Sequence, residues 1–340
     1  MKFLRLLLLP FSALYWFITY SRNYFYDKGI FQSYSFSLPV IAIGNLSTGG
    51  TGKTPMAEYL IRLLSHHYRV ATLSRGYKRK SKGFVLGDEK SNAVSLGDEP
   101  YQFFSKFPNI HVAVDADRKH GIEQLEKLVK PDIILLDDAY QHRRVKAGFY
   151  VLLTAYSDLY SDDFVLPAGN LREGRSGAKR ANIIIVTKCP HDLSLDEQQK
   201  IEKKLKPRPH QSLYFTFIEY DSQVYSEGKA ADVTAIKEMP KVLVAGIAKP
   251  KPFFAHLQND GDIIKTYPDH HEFSESEISE LNELAANKII VTTEKDYVRL
   301  KGRIPKEKLF YLPIKSTFIS EGENFDKTIF NYVGQSTGNR

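Results

Sequence analysis

The chain has 340 residues, of which 42% are hydrophobic and 26% charged, a composition typical of a globular protein with room for two domains. Its single cysteine, Cys189, excludes an intramolecular disulfide and fits a reducing compartment. A net charge of +7 predicts an anionic partner, which could be nucleic acid, a phosphate-bearing substrate or anionic lipid.

Residues 1–23, MKFLRLLLLPFSALYWFITYSRN, form an apolar and basic N-terminal segment. A signal peptide is disfavoured because no small-residue cleavage site follows, and Leu6–Tyr20 is shorter than the roughly 20 residues that span a bilayer. On a helical wheel the polar and basic residues gather on one side: Lys2, Arg5, Ser12, Thr19 and Arg22. We therefore predict a helix in the membrane interface with its basic side chains toward anionic headgroups; the alternative is a terminal helix packed on the protein's own core.

The stretch NLSTGGTGKTP, residues 45–55, predicts a phosphate-binding loop, or P-loop. It departs from the usual G-x-x-x-x-G-K-[ST] pattern, because Ser47 stands where the first glycine is expected. An apolar strand at 39–44 precedes it and a helix with proline in its first turn follows it, which is the context that such a loop requires. Lys53 would reach the terminal phosphates of a nucleotide and Thr54 would hold Mg²⁺; the alternative is a glycine-rich turn.

Apolar strand-like runs then alternate with helical stretches along the chain. Five of these runs cover residues 69–76, 110–118, 131–142, 149–156 and 182–190. The alternation predicts an α/β fold with a doubly wound, mostly parallel sheet and a second, smaller α/β domain, with the cleft between them as the expected site. The predicted divisions are a membrane-associated helical segment at 1–35, a P-loop domain at 36–206, a possibly two-stranded linker at 207–230 and a smaller C-terminal domain at 231–335.

Acidic residues follow one of the buried strands. Asp137 and Asp138 come directly after four apolar residues, a position suited to Mg²⁺ beside a P-loop, although two turn-forming aspartates are the alternative. The later loop LPAGNLREG, residues 166–174, carries Arg172 and Glu173. Arginine can clamp phosphate and glutamate could add to a metal site, but a surface ion pair or a plain turn explains the loop equally well.

Other polar stretches are less specific on their own. The basic loop at 74–83 suits an anionic headgroup or a phosphorylated substrate, or is simply solvated, and it lacks the aromatic residues expected of a nucleic-acid surface. Asp98 in GDEP reads as a helix N-cap, and His270 in PDHHEF reads as a loop histidine. The chain has neither the Cys/His cluster of a zinc site nor a serine nucleophile elbow.

Taken together and in order, eight stretches resemble one family. They are GNLSTGGTGKTP, LSRGYKRK, GDEP, DDAYQHRR, LPAGNLRE, AGIAKPKPFF, PDHHEF and TEKDYVRL. Their order and content are similar to those of the tetraacyldisaccharide 4'-kinase family, the lipid A 4'-kinases. That family's loop also lacks the first glycine, so the resemblance accounts for Ser47.

The resemblance implies a role for each matching residue. The ATP loop corresponds to Ser47, Thr48, Gly49, Gly50, Thr51, Gly52, Lys53 and Thr54. Asp98 matches the catalytic base and His270 the histidine that assists it. The acids associated with the Mg²⁺ site, which Thr54 joins, are Asp137, Asp138 and Glu173, and the polar positions near substrate are Arg118, Gln141 and Arg172.

The resemblance also implies an activity and a location. The expected reaction is ATP-dependent phosphorylation, with Mg²⁺, of the 4'-hydroxyl of a lipid A precursor, a tetraacyldisaccharide 1-phosphate, at the cytoplasmic face of the inner membrane. We expect an anionic membrane surface as partner, no nucleic acid and no obligate protein partner. The main alternative is a P-loop regulatory or assembly GTPase or ATPase at the membrane. A guanine-specific site would need an N/T-K-x-D signature, but Pro190 in TKCP stands where its aspartate should be.

Overall fold

The computed structural model describes residues 5–337, so Lys2 lies outside the described residues. The first part of the chain forms α1 (Leu9–Asp27), β1 (Val40–Asn45), α2 (Lys53–Leu64), β2 (Val70–Ser74), β3 (Val85–Leu86), α3 (Ala93–Leu96), α4 (Asp98–Lys106), β4 (His111–Val114), α5 (Arg118–Leu128), β5 (Ile133–Leu136), β6 (Phe149–Ala155), β7 (Ile183–Thr187), α6 (Leu195–Leu205) and β8 (Ser212–Tyr220). Two short 3₁₀ turns, Tyr160–Asp162 and Arg175–Arg180, interrupt the connection between β6 and β7.

The remaining part forms β9 (Gln223–Ser226), β10 (Lys229–Asp232), α7 (Val233–Glu238), β11 (Lys241–Ala245), α8 (Lys251–Leu257), β12 (Ile263–Thr266), α9 (Glu275–Leu284), β13 (Ile289–Thr293), α10 (Glu294–Leu300), β14 (Leu309–Leu312), β15 (Ile314–Phe318) and α11 (Gly322–Thr337). The strands make two sheets. A nine-stranded sheet has the order β15-β8-β7-β6-β1-β5-β2-β4-β3, and a six-stranded sheet has the order β10-β9-β14-β13-β11-β12.

Both sheets are mainly parallel, which confirms the predicted α/β fold with a second, smaller sheet. In the larger sheet only the edge strands β3 and β15 pair antiparallel with their neighbours. Strand β1 lies between β5 and β6, pairing Val40 with Ile134 and Ile41 with Phe149. The connection after β1 runs to β2 on one side and the connection after β5 runs to β6 on the other, so a crevice opens at the carboxyl ends of β1 and β5.

The buried strand β1 is covered on both faces. Ile41 and Ile43 belong to the apolar cluster that contains Met56 and Leu60 of α2. The alternate residues Val40 and Ala42 belong to a second cluster, which contains Ile122 and Leu125 of α5. This arrangement explains why β1 reads as an unbroken apolar run, since side chains on both of its faces leave water.

The sheets divide the chain differently from the predicted domain boundaries. Within the predicted linker at 207–230, β8 pairs parallel with β7 in the larger sheet, whereas β9 pairs with β14 in the smaller one. Near the end of the chain β15 returns to the larger sheet beside β8. Helix α11 then packs Phe325, Ile329 and Val333 into the cluster beneath β1, so the tail of the predicted 231–335 domain covers the larger sheet.

Helix α1 turns its polar side toward the protein, which corrects the prediction that this side faces lipid headgroups. Ser12 and Thr19 are buried, and Arg22 donates a hydrogen bond to the Gln141 carbonyl. Arg5, just before the helix, donates to the carbonyl of Gly169 (2.6 Å). The opposite side carries exposed apolar side chains: Leu7, Phe11, Leu14, Phe17 and Ile18. In the described residues 5–337, no helix is both long and apolar enough to cross a bilayer.

Helices α4 and α10, which belong to different sheets, meet across a buried ion cluster. Lys106 Nζ lies 2.7 Å from Glu58 Oε2 and 2.5 Å from Glu294 Oε1, and both carboxylates are almost fully buried. Gln102 also donates to Glu58 (2.8 Å). Burial, together with the charge of Glu58, raises the pKa of Glu294 to about 7. Arg62 Nη1 also lies 3.2 Å from Glu58 Oε2, so a lysine and an arginine serve two buried carboxylates at a junction where like charges are costly.

We predict that Glu294→Gln removes a pH dependence of stability. The pKa of Glu294 is raised in the fold, so its stabilising contribution is present below its ordinary value of 4.5 and is lost as pH rises through about 7. At about 1.4 kcal/mol per unit of pKa difference, the loss is on the order of 3 kcal/mol. Thermal unfolding from pH 5 to 8 should show the wild-type midpoint falling relative to that of the variant. The exposed Glu275→Gln is the control, and parallel curves for Glu294→Gln and wild type would contradict the prediction.

Candidate active site

The loop between β1 and α2 has a backbone that requires glycine at particular positions. Gly49 (φ 118°) and Gly52 (φ 82°) lie in the left-handed region that residues with a Cβ rarely adopt. Gly52 directly precedes α2, so the N-terminus of that helix lies at the end of the loop. Ser47 forms an antiparallel bridge with Leu171 in ordinary backbone geometry. Glycine is therefore not needed at position 47.

The loop's carbonyl groups are held by side chains outside the turn. The donors are Asn45 Nδ2 to Gly49 (3.4 Å), Lys188 Nζ to Gly50 (2.6 Å) and Thr187 Oγ1 to Thr51 (2.8 Å). Within residues 5–337, the loop amides of Gly49, Gly50, Gly52, Lys53 and Thr54 meet no acceptor. With carbonyls bound and amides free at a helix N-terminus, the loop suits an anion such as a phosphate.

The segment 166–173, called here the flanking loop, runs beside the phosphate loop. The Thr48 amide donates to the Asn170 carbonyl, and the Arg172 amide donates to the Leu46 carbonyl, both at 2.7 Å. The Tyr15 hydroxyl of α1 donates to the Arg172 carbonyl (2.9 Å). The flanking loop is thus fixed on one side by the phosphate loop and on the other by α1.

Charged side chains converge where β5 ends. Lys53 Nζ lies 3.6 Å from Asp138 Oδ1, and Arg172 Nη1 donates to both Asp138 oxygens at 3.0 and 3.2 Å. Partial burial works against ionisation of Asp138, but Lys53 and Arg172 hold its pKa below the ordinary value. The structure thus brings three of the predicted site residues into direct contact.

Asp137, the neighbouring acid, is fully buried. Burial, then the charges of Glu99 and Asp138, raise the pKa of Asp137 to about 7 in spite of the nearby cations. Its Oδ1 atom has no hydrogen-bond partner within residues 5–337. Arg118 is also buried, and burial lowers its pKa to about 10 although Asp137 opposes the shift. Arg118 therefore lies beside these acids, and its place near substrate stays a prediction.

These residues fit a Mg²⁺ ion. A buried carboxylate with an unpaired oxygen is costly unless a cation or a proton satisfies it. In the described part of the chain, no group of three or more His, Cys, Asp or Glu side chains could cage a metal. Mg²⁺ commonly uses only one or two carboxylates and keeps water or phosphate oxygens as its other ligands. Asp137, with the hydroxyl of Thr54 at the start of α2, can supply such a partial set.

The contacts of Glu173 do not support its predicted role at the metal site. Arg180 binds both of its carboxylate oxygens, at 2.7 and 2.9 Å. Asn23 Nδ2 of α1 (2.7 Å) and Gln141 Nε2 (3.0 Å) also donate to it. Because four donors occupy this buried carboxylate, it has little capacity left for an ion. Gln141 donates in addition to the Asn45 carbonyl (2.8 Å), so the cluster links α1 to the end of β1.

Asp98 and His270 come together although 172 positions separate them in the numbering. Asp98 is the first residue of α4, whose N-cap is Gly97, so the N-cap reading of Asp98 is wrong. Its Oδ2 lies 3.6 Å from His270 Nδ1. Arg299 of α10 contacts both: Nε donates to Asp98 Oδ1 (3.2 Å), and Nη2 bonds Asp98 Oδ2 and lies 3.1 Å from His270 Nδ1.

The imidazole of His270 is held in its neutral form. Partial burial and the charge of Lys295 lower its pKa. Lys295 Nζ lies 2.9 Å from Nε2, and a lysine can only donate. Arg299 Nη2, 3.1 Å from Nδ1, is also a donor, and a neutral imidazole can accept from only one of the two cations.

Glu99 lies near both groups of residues. The charge of Glu99 raises the pKa of Asp137, and it also opposes the lowering at His270, so this carboxylate lies close to each. The sequence analysis predicted no functional role for four of these residues, Glu99, Lys188, Lys295 and Arg299. Three of these lie within motifs that it singled out, GDEP and TEKDYVRL, but their roles depend on contacts between distant parts of the chain.

Comparison with known proteins follows this geometry. A family model for LpxK, described as tetraacyldisaccharide-1-P 4'-kinase, matches residues 4–333. The chain is 60% identical over 342 residues to a Flavobacterium psychrophilum protein named tetraacyldisaccharide 4'-kinase, and the alignment covers 100% of both chains. It is 43% identical to a protein of the same name from Bacteroides thetaiotaomicron, covering 98% of this chain and 94% of that one.

The fold agrees with a solved structure as well. The crystal structure of LpxK from Aquifex aeolicus in complex with ATP superimposes with a TM-score of 0.79 at 31% identity. The match covers 97% of this chain and 99% of that one. The chain therefore belongs to the tetraacyldisaccharide 4'-kinase family.

Proposed function

We propose that this protein transfers the γ-phosphate of ATP to the 4'-hydroxyl of a tetraacyldisaccharide 1-phosphate, a step of lipid A biosynthesis. The observations that carry the proposal are a loop of free amides beside Lys53 and Asp138, and an acid–histidine pair, with Glu99 close to both Asp137 and His270. The names of the relatives supply the acceptor. A regulatory GTPase is disfavoured, because Pro190 occupies the guanine-recognition position and Lys188 is engaged by the loop.

The residues divide the work of phosphoryl transfer. The free amides of the loop and Lys53 would bind the β- and γ-phosphates and stabilise charge that develops on them. Arg172 would orient Asp138 and offer a second cation at the same edge. Mg²⁺, when bound by Thr54 and Asp137, would neutralise further phosphate charge. These groups position the phosphates, which is most of what this reaction needs from a protein.

Asp98 would act on the acceptor. The sugar hydroxyl oxygen forms a bond to the γ-phosphorus while the bond from that phosphorus to the β,γ-bridging oxygen breaks, and ADP leaves. The hydroxyl proton passes to a carboxylate oxygen of Asp98. His270, whose Nδ1 lies 3.6 Å from Asp98 Oδ2, would assist the carboxylate by holding its position together with Arg299.

We also propose attachment to the cytoplasmic face of the inner membrane through α1. The helix is inverted relative to an ordinary surface helix: its polar side is buried against the flanking loop, and Phe11, Leu14, Phe17 and Ile18 are each more than half exposed. A row of four large apolar side chains in water is unfavourable and marks a binding surface. An anionic bilayer suits this surface because the substrate's acyl chains reside there.

We predict that Lys53→Ala and Thr54→Ala each lower kcat at least 100-fold with the fold intact. The first removes a charge on the phosphates, and the second removes a Mg²⁺ ligand. Transfer of labelled γ-phosphate from ATP to tetraacyldisaccharide 1-phosphate, at saturating ATP and Mg²⁺, measures the effect. Lys127→Ala, on the exposed side of α5, is the control. Normal transfer by either site variant would rule out the P-loop assignment.

We predict that Asp98→Asn and His270→Ala each reduce kcat by about 10²–10⁴-fold with little change in KM for ATP. Because the imidazole acts through the carboxylate, the double variant should be scarcely slower than the slower single variant. Steady-state kinetics of the four proteins makes the comparison. Losses that multiply would show that the two side chains act independently, and a near-normal Asp98→Asn would remove the base assignment.

We predict that replacing Phe11, Leu14, Phe17 and Ile18 with serine lowers binding to vesicles at least 100-fold, since burial of each such side chain is worth about 1.5–3 kcal/mol when complete. The inward residues of α1 remain, so ATP affinity should be unchanged. Co-sedimentation with vesicles of phosphatidylglycerol and phosphatidylethanolamine measures binding. Leu128→Ser with Met239→Ser, two exposed apolar positions elsewhere, is the control. Equal sedimentation of all three proteins would place the anchor elsewhere.

A further inference from the structure

Helices α4 and α10 run antiparallel, with an ion pair at each end. At one end Asp98, the first residue of α4, meets Arg299 near the end of α10. At the other end Lys106, the last residue of α4, meets Glu294, the first of α10. The two helices belong to the units of different sheets. The two ion pairs therefore fix the position of the smaller sheet relative to Asp98.

Arg299 has every arm of its guanidinium engaged at this contact. Nε and Nη2 take one oxygen each of Asp98, and Nη1 donates to the His271 carbonyl (2.9 Å). That carbonyl belongs to the residue after His270, and His270 has a left-handed backbone (φ 60°). Arg299 therefore holds both the carboxylate and the loop that presents the imidazole.

We propose that Arg299 is a positioning residue for phosphoryl transfer: it fixes the plane of the Asp98 carboxylate and the His270 loop together, and so makes the base competent only when the two sheets are docked. This inference rests on the proposed role of Asp98 as the base. In this proposal Arg299, from the unit of the smaller sheet, aligns the Asp98 carboxylate in the unit of the larger sheet.

The geometry leaves the base able to work. An ionised carboxylate has about four acceptor sites, and Arg299 uses one on each oxygen. The remaining sites can take up the proton of the sugar hydroxyl. A planar fork of two hydrogen bonds sets the orientation of the carboxylate, which the point charge of a lysine does not. A misplacement of about 1 Å at a reacting group can cost about 100-fold in rate.

The test compares Arg299→Gln and Arg299→Lys with a matched arginine. Arg303 donates to the Phe273 carbonyl (2.8 Å) and to the exposed Glu275, so it braces the same loop without contacting Asp98. We expect Arg299→Gln to lower kcat about 10–100-fold with KM for ATP unchanged, Arg299→Lys to fall between it and wild type, and Arg303→Gln to remain near wild type. Thermal unfolding reports the folded state of each variant; if Arg299→Gln does not fold, Arg299→Lys carries the comparison.

Combination with Asp98→Asn separates positioning from general support of the fold. If Arg299 acts through Asp98, the double variant Asp98→Asn/Arg299→Gln should transfer phosphate within about threefold of Asp98→Asn alone. A further loss equal to that of Arg299→Gln alone would overturn the proposal, as would equal kcat values for Arg299→Gln and Arg303→Gln. A near-normal Asp98→Asn would instead refute the base assignment itself, so the two failures give different patterns.

Discussion

The docking of α4 against α10 is the contact on which the rest of the site depends. Asp98 stands in the larger sheet's unit, whereas Arg299 and His270 stand in the smaller one. Neither unit alone contains Asp98 together with the arginine and histidine that contact it. The buried cluster of Lys106, Glu58 and Glu294 fixes the far end of the same contact. Because Glu58 belongs to α2, which starts at the phosphate loop, one helix contact relates that loop to Asp98.

The flanking loop connects the outer surface to the same cleft. On one side Arg5 and Tyr15 bind its carbonyls, and on the other its backbone pairs with the phosphate loop. Glu173, at its end, ties Asn23 of α1 to Gln141. A displacement of α1 would thus act on the loop that carries Arg172. The polar interior side of α1 is the physical reason that this connection exists.

Local patterns in the sequence predicted the fold and most of the cleft. Strand β1, the glycine loop and Asp137–Asp138 are specified by neighbouring residues, and the parallel sheet follows from their alternation. The predictions that failed depend on contacts between distant parts of the chain. A helical wheel defines the polar side of α1 but does not show what that side faces. In the same way, the position of Glu173 in a loop does not reveal that Arg180 binds its carboxylate. The pairing of Asp98 with Arg299 spans 201 positions, so no spacing rule could detect it. The crossing of β15 and α11 back to the larger sheet was hidden for the same reason.

The phosphate side of the cleft carries an excess of positive charge. Partial desolvation and the charges of Lys249 and Lys53 lower the pKa of Lys188, which shows that these ammonium groups repel one another. Asp138 offsets some of the repulsion by pairing with Lys53 and Arg172. A bound polyphosphate would relieve it further and would compete with Asp138 for both cations. The repulsion among these ammonium groups therefore favours an anionic ligand of the kind that the free amides of the loop select.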